Sequence, residues 1–336
     1  MLRLSVVIPV YNGEKCLPML IESLLDQDLA DEDYELLFVD DGSTDNSVSL
    51  IERYSKEYRN IRLVRHGKNL RLASACNTGL DHARGAYIWF VDQDDRIVPN
   101  CMGLLLQMAE SQKLDLLVFN FRRMNQNGEV KASPKVFEDT DEMDGVSFIS
   151  KYFPTNFDNY LLGYRWRALF SKEYLLRQGI RFIDGMMYDD TTILFKSIIY
   201  ANHIASSSGY YYYYCVNDAS ITYARGKKGE RIFEFAFLVG NEVTDFAQKV
   251  QSINDSWAKI LRQRAKKYYN GFVLDLLRTS KKERRRFYEL ILANDEVVGE
   301  VKPELNVLGK MLLMPLIGRL LAETLSCVYR LKHGKL

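Results

Sequence analysis

The chain has 336 residues, enough for about two domains. Its 47% hydrophobic and 26% charged residues mark an ordinary globular protein and exclude a disordered or fibrous one. Forty-five Lys and Arg against 44 Asp and Glu leave a net charge of +1, which argues against nucleic-acid binding by the molecule as a whole.

The N-terminus, MLRLSVVIPVYNG, reaches Pro9, Asn12 and Gly13 too soon for a secretory apolar region. Leu4–Val10 is instead an uncharged, β-branched run, the pattern of a strand buried on both faces. Lys15–Gln27 follows with helical spacing. YELLFVDDGS reads as a second buried strand ending in carboxylates, and NSVSLIERYSKEY as a helix capped by Asp45 or Asn46. NIRLVRH is a third strand, LASACNTGLDHA a helix ending near Gly85, and AYIWFVDQDD a fourth strand. This alternation predicts an α/β architecture with a mostly parallel, Rossmann-like sheet and helices on both faces. Ligands of such sheets bind beyond the carboxyl ends of the strands. Pro9–Asn12, Asp40–Ser43 and Asp92–Asp95 all lie there.

The middle third is mixed. Leu114–Met124 reads as a strand, GEVKASPKVFEDTDEMDG as a polar hairpin or loop, and VSFISKYF as a helix. RWRALFSKEYLLRQG turns from strand to helix and stops at Gly179. DDTTILFKSIIYANHI is a helix with its Asp residues in the first turn, and Gly209–Asn217 an aromatic strand. From about Lys227 onward the periodicity is helical. The five cysteines, Cys16, Cys76, Cys101, Cys215 and Cys327, contain no CxxC pair and fit neither a disulfide frame nor a zinc site. Dispersed free thiols suit a reducing compartment, hence a cytoplasmic location. No stretch approaches 18 apolar residues, so no membrane span is expected.

Three acidic clusters carry chemistry. VDDGSTDNS is either a turn with a helix cap or a site where Asp40 or Asp41 accepts from a base or ribose. In DQDD, like charges crowd a strand end. On an extended chain Asp92 and Asp94 share one face. Their hard oxygens suit Mn²⁺ or Mg²⁺ held together with a diphosphate, which would supply the missing positive charge; the bland reading is a solvated strand end. In MMYDDTT, Asp190 is a helix cap or a general base whose pKa Asp189 raises by like-charge repulsion.

Taken in order, SVVIPVYNGEKCLPMLIESLLDQ, ELLFVDDGSTDNS, NLRLASACNTG, GAYIWFVDQDD, YDDT and GYYYYYCVNDASIT resemble the family 2 glycosyltransferases of the GT-A fold, of the bacterial polysaccharide and lipopolysaccharide type. The likeness spans roughly residues 1–222 and implies an inverting transfer. A sugar moves from a nucleotide-diphosphate donor, expected to be a UDP-sugar, to a hydroxyl of a saccharide or lipid-linked saccharide acceptor in cell-surface polysaccharide or glycolipid synthesis. By the same resemblance Pro9 and Tyr11 pack on the base and Asp40 and Asp41 face the uridine. Asp92 and Asp94 form the DxD motif, with Asp94 the direct ligand of Mn²⁺ or Mg²⁺, and Asp95 accompanies them. Asp190 is the catalytic base, and Asp189 stands where the family usually has Glu. Tyr164, Trp166 and Tyr188 are candidates to stack on the acceptor, core packing being the competing reading.

The chain also departs from the family. Arg71 occupies a frequent glycine position and Cys76 a frequent arginine position, so the loop differs and a phosphate or packing contact is expected to move to Arg71. The aromatic strand continues as Cys215-Val216-Asn217 where an Arg is common, so a cation near the leaving diphosphate is either absent or supplied by Arg225, Lys227 or Lys228.

The expected organisation is a catalytic domain over 1–225, with a nucleotide-binding half (1–100) and an acceptor half (101–225), then a helical region over 226–336. Its tail, VLGKMLLMPLIGRLLAETLSCVYRLKHGKL, and the basic clusters at 259–267 and 281–286 fit peripheral contact with a membrane surface. Packing on the catalytic domain or a homodimer contact are the other readings. The alternative from another class is a non-catalytic sugar-nucleotide-binding scaffold, a degenerate relative. A nucleotidyltransferase fits PVYNGEKC poorly, and a dehydrogenase lacks its GxGxxG.

Overall fold

Strand β1 (Leu4–Val10) is buried along its whole length because it has a parallel neighbour on each side. It pairs with β2 (Tyr34–Asp40) from Leu4↔Tyr34 to Val10↔Asp40, and with β4 (Tyr87–Phe90) from Leu4↔Tyr87 to Val7↔Phe90. β3 (Ile61–Arg65) extends the parallel set beyond β2. Parallel strands in this register all end at one rim, which places the loops after β1, β2, β3 and β4 side by side.

In the computed structural model the described residues are 2–125, 127–131, 133, 135–152, 164–184 and 190–216, together with helical residues between 240 and 285 and Ala322. The backbone divides into two units, Met1–Pro154 with Asn159–Ser220, and Thr155–Asp158 with Ile221–Leu336.

Beyond β4 the sheet becomes mixed. β8 (Ala168–Ser171) runs antiparallel between β4 and β6 (Leu116–Met124). β9 (Ile204–Cys215) lies parallel to β6, and the short β5 (Arg96–Ile97) closes the path antiparallel to β9. β7 (Val130–Lys131) pairs antiparallel with the end of β6, the hairpin of the two readings the segment allowed. The order is β3-β2-β1-β4-β8-β6-β9-β5.

One face of the sheet packs Leu4, Val6, Ile8, Phe38 and Trp89 with apolar residues of α1 (Leu17–Leu25) and α4 (Met102–Ser111). α3 (Leu72–His82) packs on β1 and β2 through Val7, where Gly79 leaves no room for a Cβ. α2 (Ser47–Glu57) covers β3. α5 (Gly145–Tyr152), α6 (Lys172–Arg177) and α7 (Asp190–Ile199) complete the unit, with α5 against α7 and α6 against β8.

The sequence did not announce α4, β5 or the start of β9 at Ile204. IASSSG looks like a loop, yet it is held as strand by Asn120. This buried side chain donates to the carbonyls of Phe137, Ser207 and Ser208 and accepts from the N–H groups of Val136 and Phe137. The fourth strand is shorter than expected, ending at Phe90.

In the second unit, α8 (Asp255–Arg278) buries Trp257, Leu261, Ala265, Tyr269 and Leu276, a stripe at helical spacing. Tyr269 donates to Asn241 Oδ1 at 2.8 Å. Among the described members of the basic clusters Lys259, Lys266, Lys281 and Arg285 are exposed, Arg262 is half-buried and Arg284 is buried. Residues 307–336, apart from Ala322, fall outside the described residues. Among the described residues no helix is long and apolar enough to cross a membrane.

Candidate active site

The site is built where β4 leaves the sheet. Val91 N–H still reaches Val7 O at 3.0 Å, after which the chain turns, closed by Asp95 N–H to Asp92 O at 3.2 Å. The extended DQDD read from the sequence is therefore a turn. The cause is Asp95, which is 2% exposed and points inward. Its Oδ2 accepts from Tyr212 Oη at 2.6 Å and its Oδ1 from Cys215 N–H at 2.7 Å. Tyr212 Oη also accepts from Asp92 N–H at 3.1 Å. Burial, with Asp94 and Asp92 nearby, pushes the Asp95 carboxyl well above the usual carboxylate range.

Asp92 pairs with the Arg165 guanidinium, which is buried beneath it. Part of the positive charge at this crowded strand end therefore comes from the protein itself. Arg165 sits in a 3₁₀ turn (Arg165–Arg167) leading into β8. Two arginines around a tryptophan at the head of an apolar strand were the only sequence signal of it.

Burial first, then the charge of Asp92, pushes the Asp94 carboxyl up to about 6, offset by its own backbone N–H and by Arg165. Such a group is short of nearby positive charge, and its hard oxygens fit Mg²⁺ or Mn²⁺. Among the described residues no group of three or more His, Cys, Asp or Glu is arranged to hold a metal. A cation at Asp94 would thus need most of its oxygen shell from a ligand or water.

The loop after β1 is tied to both neighbours. Gln93 Oε1 accepts from Tyr11 N–H at 3.0 Å, and Gln93 Nε2 donates to Tyr11 O at 3.1 Å. On the other side, Asn12 N–H donates to Ser43 Oγ at 3.0 Å and Thr44 N–H to Asn12 Oδ1 at 2.8 Å. Gly13 N–H donates to Ser47 Oγ at 2.8 Å. Pro9 is buried in β1 opposite Val39, so it supports the rim from below. Tyr11 is 45% exposed at the rim, which leaves its ring available to a planar ligand.

Asp40 and Asp41 are both buried. Asp40 Oδ1 accepts from Ser43 N–H at 3.1 Å and its Oδ2 lies 4.0 Å from Arg65 Nε. Asp41 Oδ1 accepts from Leu70 N–H at 2.7 Å and meets His66 Nδ1 at 2.8 Å, while Oδ2 accepts from Arg71 N–H at 2.8 Å. A carboxylate has about four acceptor positions, so Asp41 spends most of its capacity capping α3 from a neighbouring loop. Beside the uridine-facing role that the resemblance implies, both carboxylates hold the loops of the rim.

Arg71, at the head of α3, has φ 78° and ψ 166°. That region is almost confined to glycine, the residue the family often has there. Further along α3, Asn77 grips the segment leading to Asp190. Its Nδ2 donates to Phe182 O and Asp184 Oδ1, both at 2.9 Å, and its Oδ1 accepts from Phe182 N–H at 3.0 Å. Asp190 opens α7, but its side chain lies outside the described residues, as do Asp189, Tyr188, Arg225, Lys227 and Lys228.

Trp166 is 1% exposed and stacked on Tyr212, with centroids 4.4 Å apart and planes at 5°. Tyr164 stacks on it at 4.8 Å. Trp166 is therefore core, the packing reading that stood beside acceptor stacking for it.

The family model for glycosyl transferase family 2 matches residues 5–176, half of the chain, and its span contains the whole rim. This chain belongs to glycosyl transferase family 2. Among similar proteins is the uncharacterized glycosyltransferase EpsJ of Bacillus subtilis, 30% identical over 184 residues, 55% of this chain and 52% of that protein. The poly(ribitol-phosphate) beta-glucosyltransferase of Bacillus spizizenii is 33% identical over 132 residues, 39% of this chain and 21% of that one. The chain spans about half the length, or less, of these curated relatives. Among solved structures, S. aureus TarS 1-349 in complex with UDP-GlcNAc has a TM-score of 0.65 at 21% identity, covering 98% of this chain and 92% of that one. The fold is the GT-A type that the motifs implied.

Proposed function

We propose that this family 2 member is an inverting glycosyltransferase that moves a sugar from a UDP-sugar to an acceptor hydroxyl in cell-surface polysaccharide or glycolipid synthesis. The observation carrying this reading is the rim itself. Tyr11, Asp41, Asp92 and Asp94 come from three loops tied together by Gln93, Ser43 and Asn12. The fold shared with TarS, whose structures include complexes with UDP-GlcNAc and with UDP, supports a uridine nucleotide. The beta-glucosyltransferase acting on poly(ribitol-phosphate) supports a surface-polymer acceptor.

In this reading Tyr11 stacks on the base, the loops anchored by Asp40 and Asp41 shape the uridine pocket, and Arg71 at the α3 terminus faces the diphosphate. Mn²⁺ or Mg²⁺, when held at Asp94 beside Asp92, supplies neutralisation of the leaving diphosphate. Asp190 accepts the proton of the acceptor hydroxyl as that oxygen attacks the anomeric carbon, and Asp189 raises its basicity. One displacement inverts the configuration. Asn77 positions the segment that carries this base. Work at the cytoplasmic face, with the helical region 226–336 touching the membrane or a second copy, completes the proposal.

The test is a screen of nucleotide-sugars for Mn²⁺-dependent transfer, with thermal stabilisation read in parallel. UDP with Mn²⁺ stabilises the wild type and not Asp94→Ala, while Asp190→Asn keeps UDP binding and loses transfer. A second reading, a sugar-nucleotide-binding scaffold without turnover, is favoured by Arg71 and Cys76 at altered family positions. It predicts UDP binding with no transfer from any donor.

A further inference from the structure

The three carboxylates of one turn have three different surroundings. Asp95 has both oxygens committed, to Tyr212 and to the Cys215 N–H. Asp92 has Oδ1 on Arg165. No other side chain among the described residues bonds or pairs with Asp94. We propose that Arg165 is a positioning residue that reserves Asp92 by pairing with it from beneath, so that a divalent cation is held through Asp94 as its single carboxylate ligand.

The order of burial carries this. The Arg165 side chain is 1% exposed and that of Asp92 24%, so the guanidinium lies on the protein side of Asp92. The turn bearing Arg165 is pinned through the next residue. Trp166 O accepts from Trp89 Nε1 at 2.7 Å, and the Trp166 ring lies flat on Tyr212. Tyr212 Oη in turn bonds both Asp95 and the Asp92 N–H. One scaffold therefore sets both members of the pair. A divalent cation bridging Asp92 and Asp94 would share the Asp92 carboxylate with the guanidinium, bringing two positive groups into close range. At Asp94 alone it meets carboxylate and ligand oxygens.

This inference rests on the proposed cation site, and the experiment separates the two. Mn²⁺ affinity is measured on the full chain at saturating UDP by calorimetry and by the paramagnetic signal of free Mn²⁺. Arg165→Gln releases Asp92 as a second ligand and tightens Mn²⁺ at least about tenfold. Adding Asp92→Asn removes that gain, and Arg165→Lys, which keeps the charge, stays near wild type. A merely structural role for Arg165 would leave the Mn²⁺ affinity of folded Arg165→Gln unchanged or weakened, and that result overturns the inference. If Arg165→Gln does not fold, Asp92→Asn against Asp94→Asn decides: Mn²⁺ binding persists in the first and is lost in the second. Equal loss in both overturns the assignment. No Mn²⁺ binding to the wild type removes the cation reading and the inference together.

Discussion

Tyr11 and Gln93 hold each other by two hydrogen bonds, Tyr11 N–H to Gln93 Oε1 at 3.0 Å and Gln93 Nε2 to Tyr11 O at 3.1 Å. The residue between Asp92 and Asp94 thereby sets where the exposed Tyr11 ring stands. A Cβ on Gly13 would come within 2.5 Å of Gln93 Oε1 and push this amide aside. Gly13→Ala and Gln93→Ala should each weaken UDP binding by about 5–10-fold, the effect of losing about 1 kcal/mol of hydrogen bonding. Isothermal titration checks this. The double variant should be no worse than either single change, because both break the same clamp.

Arg71 pays for its position at φ 78°, ψ 166°. Such a backbone costs a non-glycine residue about 1–3 kcal/mol. Arg71→Gly removes that strain and gives back part of it as unfolded-chain entropy, so a net gain of about 1 kcal/mol is expected in denaturant unfolding. The same variant should lose donor affinity if the guanidinium meets the diphosphate. A less stable Arg71→Gly would contradict the strain argument.

Asp94 makes stability depend on pH with a definite sign. Its carboxyl titrates at about 6 folded, against 3.8 as the ordinary value. Between these values the folded chain holds the extra proton, so stability is full below about pH 3.8 and falls as pH rises through 6. The difference amounts to up to about 3 kcal/mol at pH 7. Asp94→Asn should therefore gain on the wild type progressively from pH 4 to pH 7 in parallel melts. Mn²⁺ with UDP should cancel that advantage and itself bind more tightly as pH rises through 6.

Asn77 makes three hydrogen bonds to the Phe182–Asp184 segment, and Arg181 adds a two-bond pair with Asp81 at 2.8 Å. Asn77→Ala leaves the buried Phe182 N–H and carbonyl unsatisfied, a loss of about 2–4 kcal/mol. Since this segment leads to Asp190, kcat should fall while the donor KM stays near wild type. A change confined to donor KM would place Asn77 in nucleotide binding instead.

Trp166 tests the distinction between core and acceptor surface. Trp166→Ala should cost about 3–5 kcal/mol. Trp166→Phe should lose less stability and leave acceptor KM unchanged. An acceptor KM that rises while stability holds would restore the stacking role.

Much of the fold was legible because it is local. β1 and β2 are apolar runs that only a sheet covered on both faces can bury, and their carboxyl ends carry the turn residues. α4 is not legible although its Leu105, Leu106 and Ala109 are buried, because it begins just after Pro99, a residue that reads as a stop. β9 was seen in its tyrosines and missed in Ile204–Ser208, where Asn120 rather than apolar pattern holds the strand. At the site, Asp92, Asp94, Asp40 and Asp41 were legible as carboxylates at strand ends. Arg165 and Tyr212 were not, since they come 73 and 120 residues after Asp92.

Local chemistry, then, was enough to name the rim and the family: hydrophobic period, turn residues and crowded carboxylates are short-range properties of a chain. Which carboxylate keeps its charge for a ligand is a different kind of fact. Asp92, Asp94 and Asp95 are nearly identical in sequence context, and only the packed sheet brings Arg165 to the first, burial to the second and Tyr212 to the third. Electrostatic energies depend on distance in space and on desolvation, and neither exists until strands far apart in sequence lie side by side.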